Sequence, residues 1–408
     1  MMDRLLQLMS EKKASDLFLT AGSPIQLKVN GALVPVNQQR LNPENVMSLI
    51  REIVDDLHWE AFDRLHELNL GYGVRGVGSF RVNVFRQRGS PACVIRFIPH
   101  DIPKLATLHL PDIVGDLIMD KRGLVLVVGA TGSGKSTTLA SMIDHRNEQK
   151  SGHILTLEDP IEFTFQNKRS IVNQRQIGTD TNSLEIALKN AMRQAPDCIL
   201  IGEIRDTATM SNAIAYAQSG HLVLATLHAN NANHALNRIV SFYPLDSRPV
   251  LLADLAATLK AVVAQRLVRA FDGTRLPAVE VLLNTRHIAE LIEHGRITEV
   301  KDAMSQSLAA GSRTFDQALA ELVRSRRIAR EDAIANADSP TNLLWMLENE
   351  SEVVAAPPTS GAAAPGNLVS PAMASAALGQ PQQKAQQPAT GTGTDAEGPS
   401  FSEFLLNI

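Results

Sequence analysis

Gly129, Gly134, Lys135 and Ser136 stand in the order G-x4-G-K-S, directly after the aliphatic run LVLVV and before STTLASM. This is the P-loop pattern in its proper context, a strand entering a glycine-rich turn that opens a helix. The chemistry is phosphate binding. Glycines let backbone N–H groups turn inward around phosphate oxygens, and the start of the helix adds its positive end. On this pattern Gly129, Ala130, Thr131, Gly132, Ser133, Gly134, Lys135, Ser136 and Thr137 cradle a nucleotide. Lys135 reaches the β/γ-phosphates and the Ser136 hydroxyl ligates Mg²⁺, so ATP and Mg²⁺ are the expected cofactors.

Transfer of a γ-phosphoryl group to water needs a positioned water, a metal and neutralisation of spreading charge, with little covalent chemistry from the protein. In an open α/β sheet, ligands sit beyond the carboxyl ends of the strands. Besides Gly129 onward, three aliphatic runs end in groups of the right kind: Glu158, Asp159 and Glu162 in LTLEDPIEF, Glu203 in CILIGEIRD, and Thr226 and His228 in LVLATLHANNAN. Any one of them fits equally well as a helix cap or a solvated loop charge. Four strand ends converging by one rule favour a site. Glu162 and Glu203 are the candidates for orienting or deprotonating water, directly or through the Mg²⁺ shell, with Glu158 a third. Glu203 joins Ser136 as a metal-side group. His228 is placed to hydrogen-bond the γ-phosphate. His221 begins the same strand, so at about 3.3 Å per residue it lies roughly 20 Å away and is expected to serve packing.

Charge-neutralising cations are expected from Arg81 in FRVNVF, Arg96 in VIRF and Arg193 in AMRQAPD. Arg81 and Arg96 also fit plain surface positions on alternating strands. A small domain hinged to a nucleotide domain would let them serve a phosphate on a neighbouring subunit, as arginine fingers in trans.

The elements that must carry these residues follow from periodicity. Residues 2–13 have helical spacing, and SDLFLT, IQLKVNG and ALVPV read as short strands with an Asn-Gly turn between the last two. A helical stretch over 43–68 precedes two strands around the turn at Arg88-Gly89-Ser90-Pro91. This predicts a small α+β domain over 1–99. The segment 100–112, punctuated by Pro103 and Pro111, reads as a linker. Beyond it, GLVLVVG, HILTLED, CILIGE and HLVLATLH alternate with amphipathic helical stretches, which predicts an α/β domain with a parallel sheet covered on both faces. After Leu245 the pattern is mainly helical with one strand, LPAVEVLL, so the ATPase domain and its helical region extend over 113–348. Residues 349–408 read as a disordered tail, because 349–400 contain no aromatic residue and few charges. The apolar terminus FSEFLLNI is open to two readings, a frayed end or a short helix docking on a partner.

The chain has 408 residues and a net charge of −4, with no basic footprint for nucleic acid. Its aromatic content of 4% disfavours strand binding through stacking. Cys93 and Cys198 lie far apart in apolar runs, which predicts buried thiols and excludes a zinc module. No signal peptide and no run of about eighteen apolar residues occurs, so a cytoplasmic location without membrane insertion is expected.

These residues carry a family likeness. The sequence resembles the secretion-type ATPases, and among them the type IV pilus retraction motors of the PilT and PilU kind. GATGSGKSTTLA resembles their Walker A, LEDPIEF their aspartate box, GHLVLATLHANNA their histidine box, and ILIGEIRD their Walker B box with Glu203 in place of the more usual aspartate. The likeness runs from about Ser15 to Asn342. KSGHILTLEDPIEF, ALKNAMRQAPD and TLHANNANHALNRIV look more like PilU than PilT. The resemblance implies an N-terminal PAS-like domain, a RecA-like ATPase domain and a hexamer. It also implies force delivered to the inner-membrane platform of the pilus from its cytoplasmic face.

One departure bears on the role. Where PilT-type motors carry AIRNLIRE, this chain has HIAELIEH, keeping Ile288, Leu291 and Ile292 but placing Ala289 and Glu293 where arginines are usual. That favours a PilU-type accessory motor working with a PilT-type partner, in a mixed ring or stack or as its own hexamer. The rival readings are a pilus-assembly or type II secretion ATPase, a nucleotide-binding structural subunit with little turnover, and a nucleic-acid motor.

Overall fold

The computed structural model describes residues 1–29, 31–98 and 101–349. The expectations of a disordered tail and of a docking FSEFLLNI terminus lie outside them, apart from Asn349, which closes the last helix.

The first sheet is built on α1 (Met2–Glu11), β1 (Asp16–Leu19), β2 (Gln26–Val29), β3 (Ala32–Pro35), α2 (Pro43–Arg51), α3 (Asp56–Leu65), β4 (Glu67–Val74), β5 (Gly78–Gln87) and β6 (Ser90–Ile98). The six strands run in the order β3-β2-β1-β6-β5-β4, all antiparallel to their neighbours. Met2, Leu5, Leu6 and Met9 bury one stripe of α1, the i, i+3, i+4, i+7 spacing of an amphipathic helix. The stretch expected to be one helix over 43–68 is two. Asn42 and Asn45 form a capping box at α2, and Asp55 then caps a new helix by accepting the His58 N–H at 2.8 Å. Residues 67–74 form a strand where a helix end was expected, with Leu68 and Leu70 packed inward and Gly71 and Gly73 between apolar neighbours.

The segment expected to be a linker is pinned. Pro103 O accepts from Ser141 Oγ at 2.7 Å, and Lys104 pairs with Glu148.

The second sheet follows α4 (Ile113–Met119) and comprises β7 (Gly123–Val128), α5 (Lys135–Gln149), β8 (Gly152–Glu158), β9 (Ser170–Gln176), α6 (Leu184–Ala191), β10 (Cys198–Ile201), α7 (Thr207–Gln218) and β11 (Leu222–Leu227). The chain continues through α8 (Ala232–Ser241), α9 (Arg248–Thr258), β12 (Leu259–Arg269), β13 (Arg275–Leu283), α10 (Arg286–Glu293), α11 (Val300–Ser305), α12 (Phe315–Arg324), α13 (Arg330–Asn336) and α14 (Pro340–Asn349). The seven strands run β13-β12-β7-β11-β10-β8-β9, parallel except for the β12–β13 pair. Every residue of β7, β10 and β11 is buried. Alternate residues of one strand enter different cores: Leu124, Leu126 and Val128 pack toward α7 and α8, and Val125 and Val127 pack toward α4 and α5. Truncating one of these leucines to Ala costs about 2–5 kcal/mol.

Cys93 and Cys198 are both buried thiols, and burial pushes the Cys198 thiol up to about 11. Among the described residues no helix is long and apolar enough to cross a membrane.

One carboxyl lies deep between these layers. Glu280 on β13 accepts the Ala232 N–H at 2.7 Å and the Phe315 N–H at 3.3 Å, joining the starts of α8 and α12. Burial pushes it up to about 7 from an ordinary 4.5, against the pull of the Ala232 N–H. The folded chain holds this proton where the unfolded chain has lost it. The resulting stabilisation is fully present below pH 4.5 and is lost as pH rises through about 7. Between about pH 5.5 and about pH 8, the melting temperature of the wild type should therefore fall more than that of Glu280→Gln. Equal falls would mean that Glu280 does not titrate in this range.

Candidate functional site

The phosphate cradle is shaped by what glycine omits. At Gly129 a Cβ would meet Ser133 Oγ and would lie 2.6 Å from Gln265 O. At Gly134, with φ +91°, it would lie 2.8 Å from Gln265 Nε2. Gln265, buried in β12, thus closes the floor of the loop, and its Oε1 accepts from Thr138 Oγ1 at 2.8 Å. The loop leads into α5 at Lys135, whose Nζ donates to Gly129 O and Ala130 O at 2.9 Å each. Ser133 Oγ is buried with no hydrogen-bond partner. A buried hydroxyl without a partner, beside a helix N-terminus and an ammonium, suits an incoming phosphate oxygen. Burial lowers the Lys135 ammonium, and the nearby Glu203 and Glu162 charges oppose that shift.

Lys135 and Ser136 line a cavity of about 760 Å³ together with Glu158, Glu162, Glu203 and His228. The rule of strand ends therefore brings the four expected boxes together. The carboxylates differ. Glu158 accepts from Thr156 Oγ1 at 2.6 Å and Gln174 Nε2 at 3.2 Å, and burial raises it above the ordinary value. Glu203 accepts from Arg205 Nε at 2.7 Å and has His228 Nε2 at 3.5 Å. Gly202 leaves room for the close passage of β8, because a Cβ there would lie 3.0 Å from Leu157 O.

Two residues at the cavity and its floor were not legible. Arg205, two residues after Glu203, reaches the same cavity and lies 3.9 Å from Asp159. Its place at a strand end was a usable signal. Gln265 was hidden because β12 falls in a region read as helical; a lone amide inside AVVAQRLV was its only mark.

Arg81 and Arg96 line a second cavity of about 670 Å³ with Asp16, Asp159, Pro160 and Gln176. Asp159 and Pro160 border both cavities. The two arginines thus approach the aspartate-box loop of their own chain. Asp16, Arg96 and Arg81 are register partners across β1, β6 and β5. Arg96 Nε donates to the buried Asp16 at 2.8 Å. Arg81 is lowered first by burial and next by Arg96, with Glu162 and Asp159 opposing. Arg193 does not join them. It is exposed in the turn before β10, at the amino end of that strand, whereas the cavity opens at the carboxyl ends. His221 lies with Nδ1 3.2 Å from Tyr216 O, tying the end of α7 to β11 as expected of a packing residue.

Among the described residues no cluster of three His, Cys, Asp or Glu could hold a metal alone. Mg²⁺ in phosphate sites takes only one or two protein oxygens, with water and phosphate supplying the rest, and the oxygen donors Ser136 and Glu203 at the cavity fit that demand.

A glycine cradle at the carboxyl edge of a parallel sheet, with acidic groups and an imidazole around it, defines a P-loop nucleoside triphosphatase. The family profile described as Type II/IV secretion system protein matches residues 1–291. The chain is 49% identical to the type IV pilus ATPase PilU of Pseudomonas aeruginosa over 86% of this chain and 92% of that protein. It is 37% identical to the type IV pilus retractation ATPase PilT of the same organism, over 83% and 98%. The crystal structure of the pilus retraction motor PilT with bound ADP matches at a TM-score of 0.78 and 40% identity, covering 83% of this chain and 98% of that one. The chain belongs to the type II/IV secretion system protein family and is an ATPase of the PilT/PilU kind.

Replacing Gly129 by Ala fills the cradle against a backbone carbonyl that cannot move aside. Gly129→Ala should weaken binding of a fluorescent ATP analogue at least about tenfold, about 1.4 kcal/mol. Unchanged affinity in a folded variant would refute the cradle geometry.

Proposed function

We propose that this ATPase powers retraction of a type IV pilus, as a PilU-type accessory motor working with a PilT-type partner in a ring or stack at the cytoplasmic face of the inner-membrane pilus machine. The observation that carries the reading is the meeting of Lys135, Glu162, Glu203 and His228 around one cavity at the strand ends. The likeness to PilU over most of both chains supports the assignment to the pilus.

On this reading the backbone amides of Gly129–Thr137 and the Lys135 ammonium bind the β/γ-phosphates, which compete with the Gly129 and Ala130 carbonyls for that ammonium. Mg²⁺, held by Ser136 and the Glu203 side, would supply neutralisation of the phosphate charge. Glu203 and Glu162 orient water and accept its proton. Glu158 supports them from its bonds to Thr156 and Gln174. His228 touches Glu203 and faces the γ-phosphate position, which couples loss of that group to the loop that follows. Arg81 and Arg96, on the small N-terminal domain, close over the aspartate-box loop and neutralise the transferring group.

The accessory role rests on α10. Ile288, Leu291 and Ile292 are buried while Glu293 is exposed, so the helix keeps its packing and presents an acid at one of the two positions where a PilT-type helix presents arginine, with Ala289 at the other. An assembly motor of the zinc-bearing type is disfavoured by the burial of both cysteines on different sheets.

Lys135→Ala should abolish ATP hydrolysis. Glu203→Gln and Glu162→Gln should each lower kcat by about 10²–10⁴-fold, and Glu158→Gln by clearly less. Turnover that persists in Lys135→Ala would overturn the enzymatic site. Retraction should require both this chain and an ATPase-active PilT-type partner, and full retraction driven by this chain alone would overturn the accessory role.

A further inference from the structure

Gln265 and Arg266 are consecutive in β12, so their side chains leave opposite faces of the sheet. Gln265 meets the phosphate loop and α5. Arg266 enters the other layer, where Val262, Ala264 and Val268 also pack. There its Nη2 donates to Asn230 O at 3.1 Å, its Nη1 donates to Asn336 O at 2.6 Å, and the guanidinium pairs with Asp338. Asp338 Oδ2 also accepts from Asn231 Nδ2 at 2.8 Å. Asn230 and Asn231 lie two and three residues beyond His228, and Asn231 caps α8 through the His234 N–H at 2.9 Å.

One guanidinium and one carboxylate thus hold both the backbone and a side chain of the segment after His228. The same two groups hold the turn between α13 and α14. That turn is itself fixed, since Asp316 Oδ1 accepts the N–H groups of Asp338 and Ser339 at 3.0 and 3.2 Å. The guanidinium also stacks 3.9 Å from the centroid of Phe315, the first residue of α12. The pair is mostly buried, with side chains 20% and 11% exposed. A buried ion pair adds little stability over an apolar pair of the same size, but it defines position through several directed bonds at once.

We propose that Arg266 and Asp338 are positioning residues for ATP turnover, locking the loop that carries His228 to the C-terminal helices so that those helices set the geometry at the γ-phosphate. The inference rests on the reading of His228 given above. It makes the region from α12 to α14 a control element for hydrolysis, with β12 linking it to the phosphate loop through adjacent residues.

Full-length chain assayed for steady-state hydrolysis over a range of ATP concentrations tests this. Arg266→Gln and Asp338→Asn should each lower kcat by about tenfold with KM held within about twofold, because the phosphate cradle is untouched. The double variant should be no slower than the slower single, since both remove one joint. Arg313 supplies the contrast. It ties β13 to α12, its Nε donating to Val279 O at 2.9 Å and its Nη1 pairing with Glu321 at 2.8 Å, and these partners include neither Asp338 nor the His228 loop. Arg313→Met should lower the melting temperature and leave kcat unchanged. Should Arg266→Gln fail to fold, Asp338→Asn, which keeps an acceptor for Asn231, decides alone. The inference is overturned if kcat stays within about twofold of wild type, if KM rises in proportion to the loss, or if Arg313→Met slows turnover as much as Arg266→Gln. His228→Ala separates the two layers of argument. Slow turnover in His228→Ala alone overturns the joint and spares the role of His228, whereas unchanged turnover there overturns both.

Discussion

Leu126, Ala225, Ile201 and Leu157 lie side by side across β7, β11, β10 and β8, and Gly129, His228, Glu203 and Glu158 follow one to three residues beyond that row. Strands buried on both faces are apolar throughout, so their hydrophobic pattern tolerates a slip of one residue that would be forbidden in a half-exposed sheet. The register is instead pinned at the carboxyl edge. Gly202 N–H donates to Leu157 O at 2.8 Å, Ile204 N–H to Thr226 O at 2.9 Å, and Ile177 N–H to Glu158 O at 2.9 Å, while Thr226 Oγ1 donates to Gly202 O. These bonds join the segments that carry Glu158, Glu203 and His228. The site and the alignment of the sheet are therefore one set of interactions, and disturbing either disturbs the other.

The small domain meets this edge with a row of charge. Asp16, Arg96 and Arg81 sit abreast on three strands, and the next strand presents Gly71, where a Cβ would lie 3.9 Å from Gln176 Oε1. Two adjacent guanidiniums repel, and the Asp16 carboxylate on one side with the Asp159 and Glu162 charges on the other offset that repulsion. The face is thus balanced against its own chain's acidic loop. A nucleoside triphosphate in the adjoining cavity would add negative charge beside that loop, which borders both cavities.

Most of the parallel sheet was legible because an unbroken aliphatic run followed by a polar residue is both a buried strand and a strand end. GLVLVVG, HILTLED, CILIGE and HLVLATLH all fall on strands of the second sheet. Three strands were not legible, each for its own reason. β4 interleaves its apolar residues with two glycines, β9 reads SIVNQRQ and is polar at its end, and β12 lies in a stretch of helical composition. The break between α2 and α3 was written in Asp55, a capping residue that periodicity alone passes over. At the site, residue types announced the P-loop and the carboxylates. What no local pattern contained was which loop the arginines of the first sheet would face, because that is fixed by how residues 101–112 pack on α5.

Glu158 and Glu203 show how one residue type at neighbouring strand ends comes to sit in different surroundings. Glu158 is enclosed, with a hydroxyl and an amide donating to it, so its lone pairs are committed to the protein and burial works against its charge. Glu203 shares its oxygens with Arg205, a side chain 63% exposed, and with His228, 42% exposed. Partners that are themselves solvated can rotate away at little cost, which leaves Glu203 able to trade them for water, metal or phosphate-linked contacts during a cycle. A carboxylate held by rigid, buried donors cannot make that exchange without leaving them unsatisfied. The difference in their donors is the ground for the proposed division, with support from Glu158 and chemistry at Glu203.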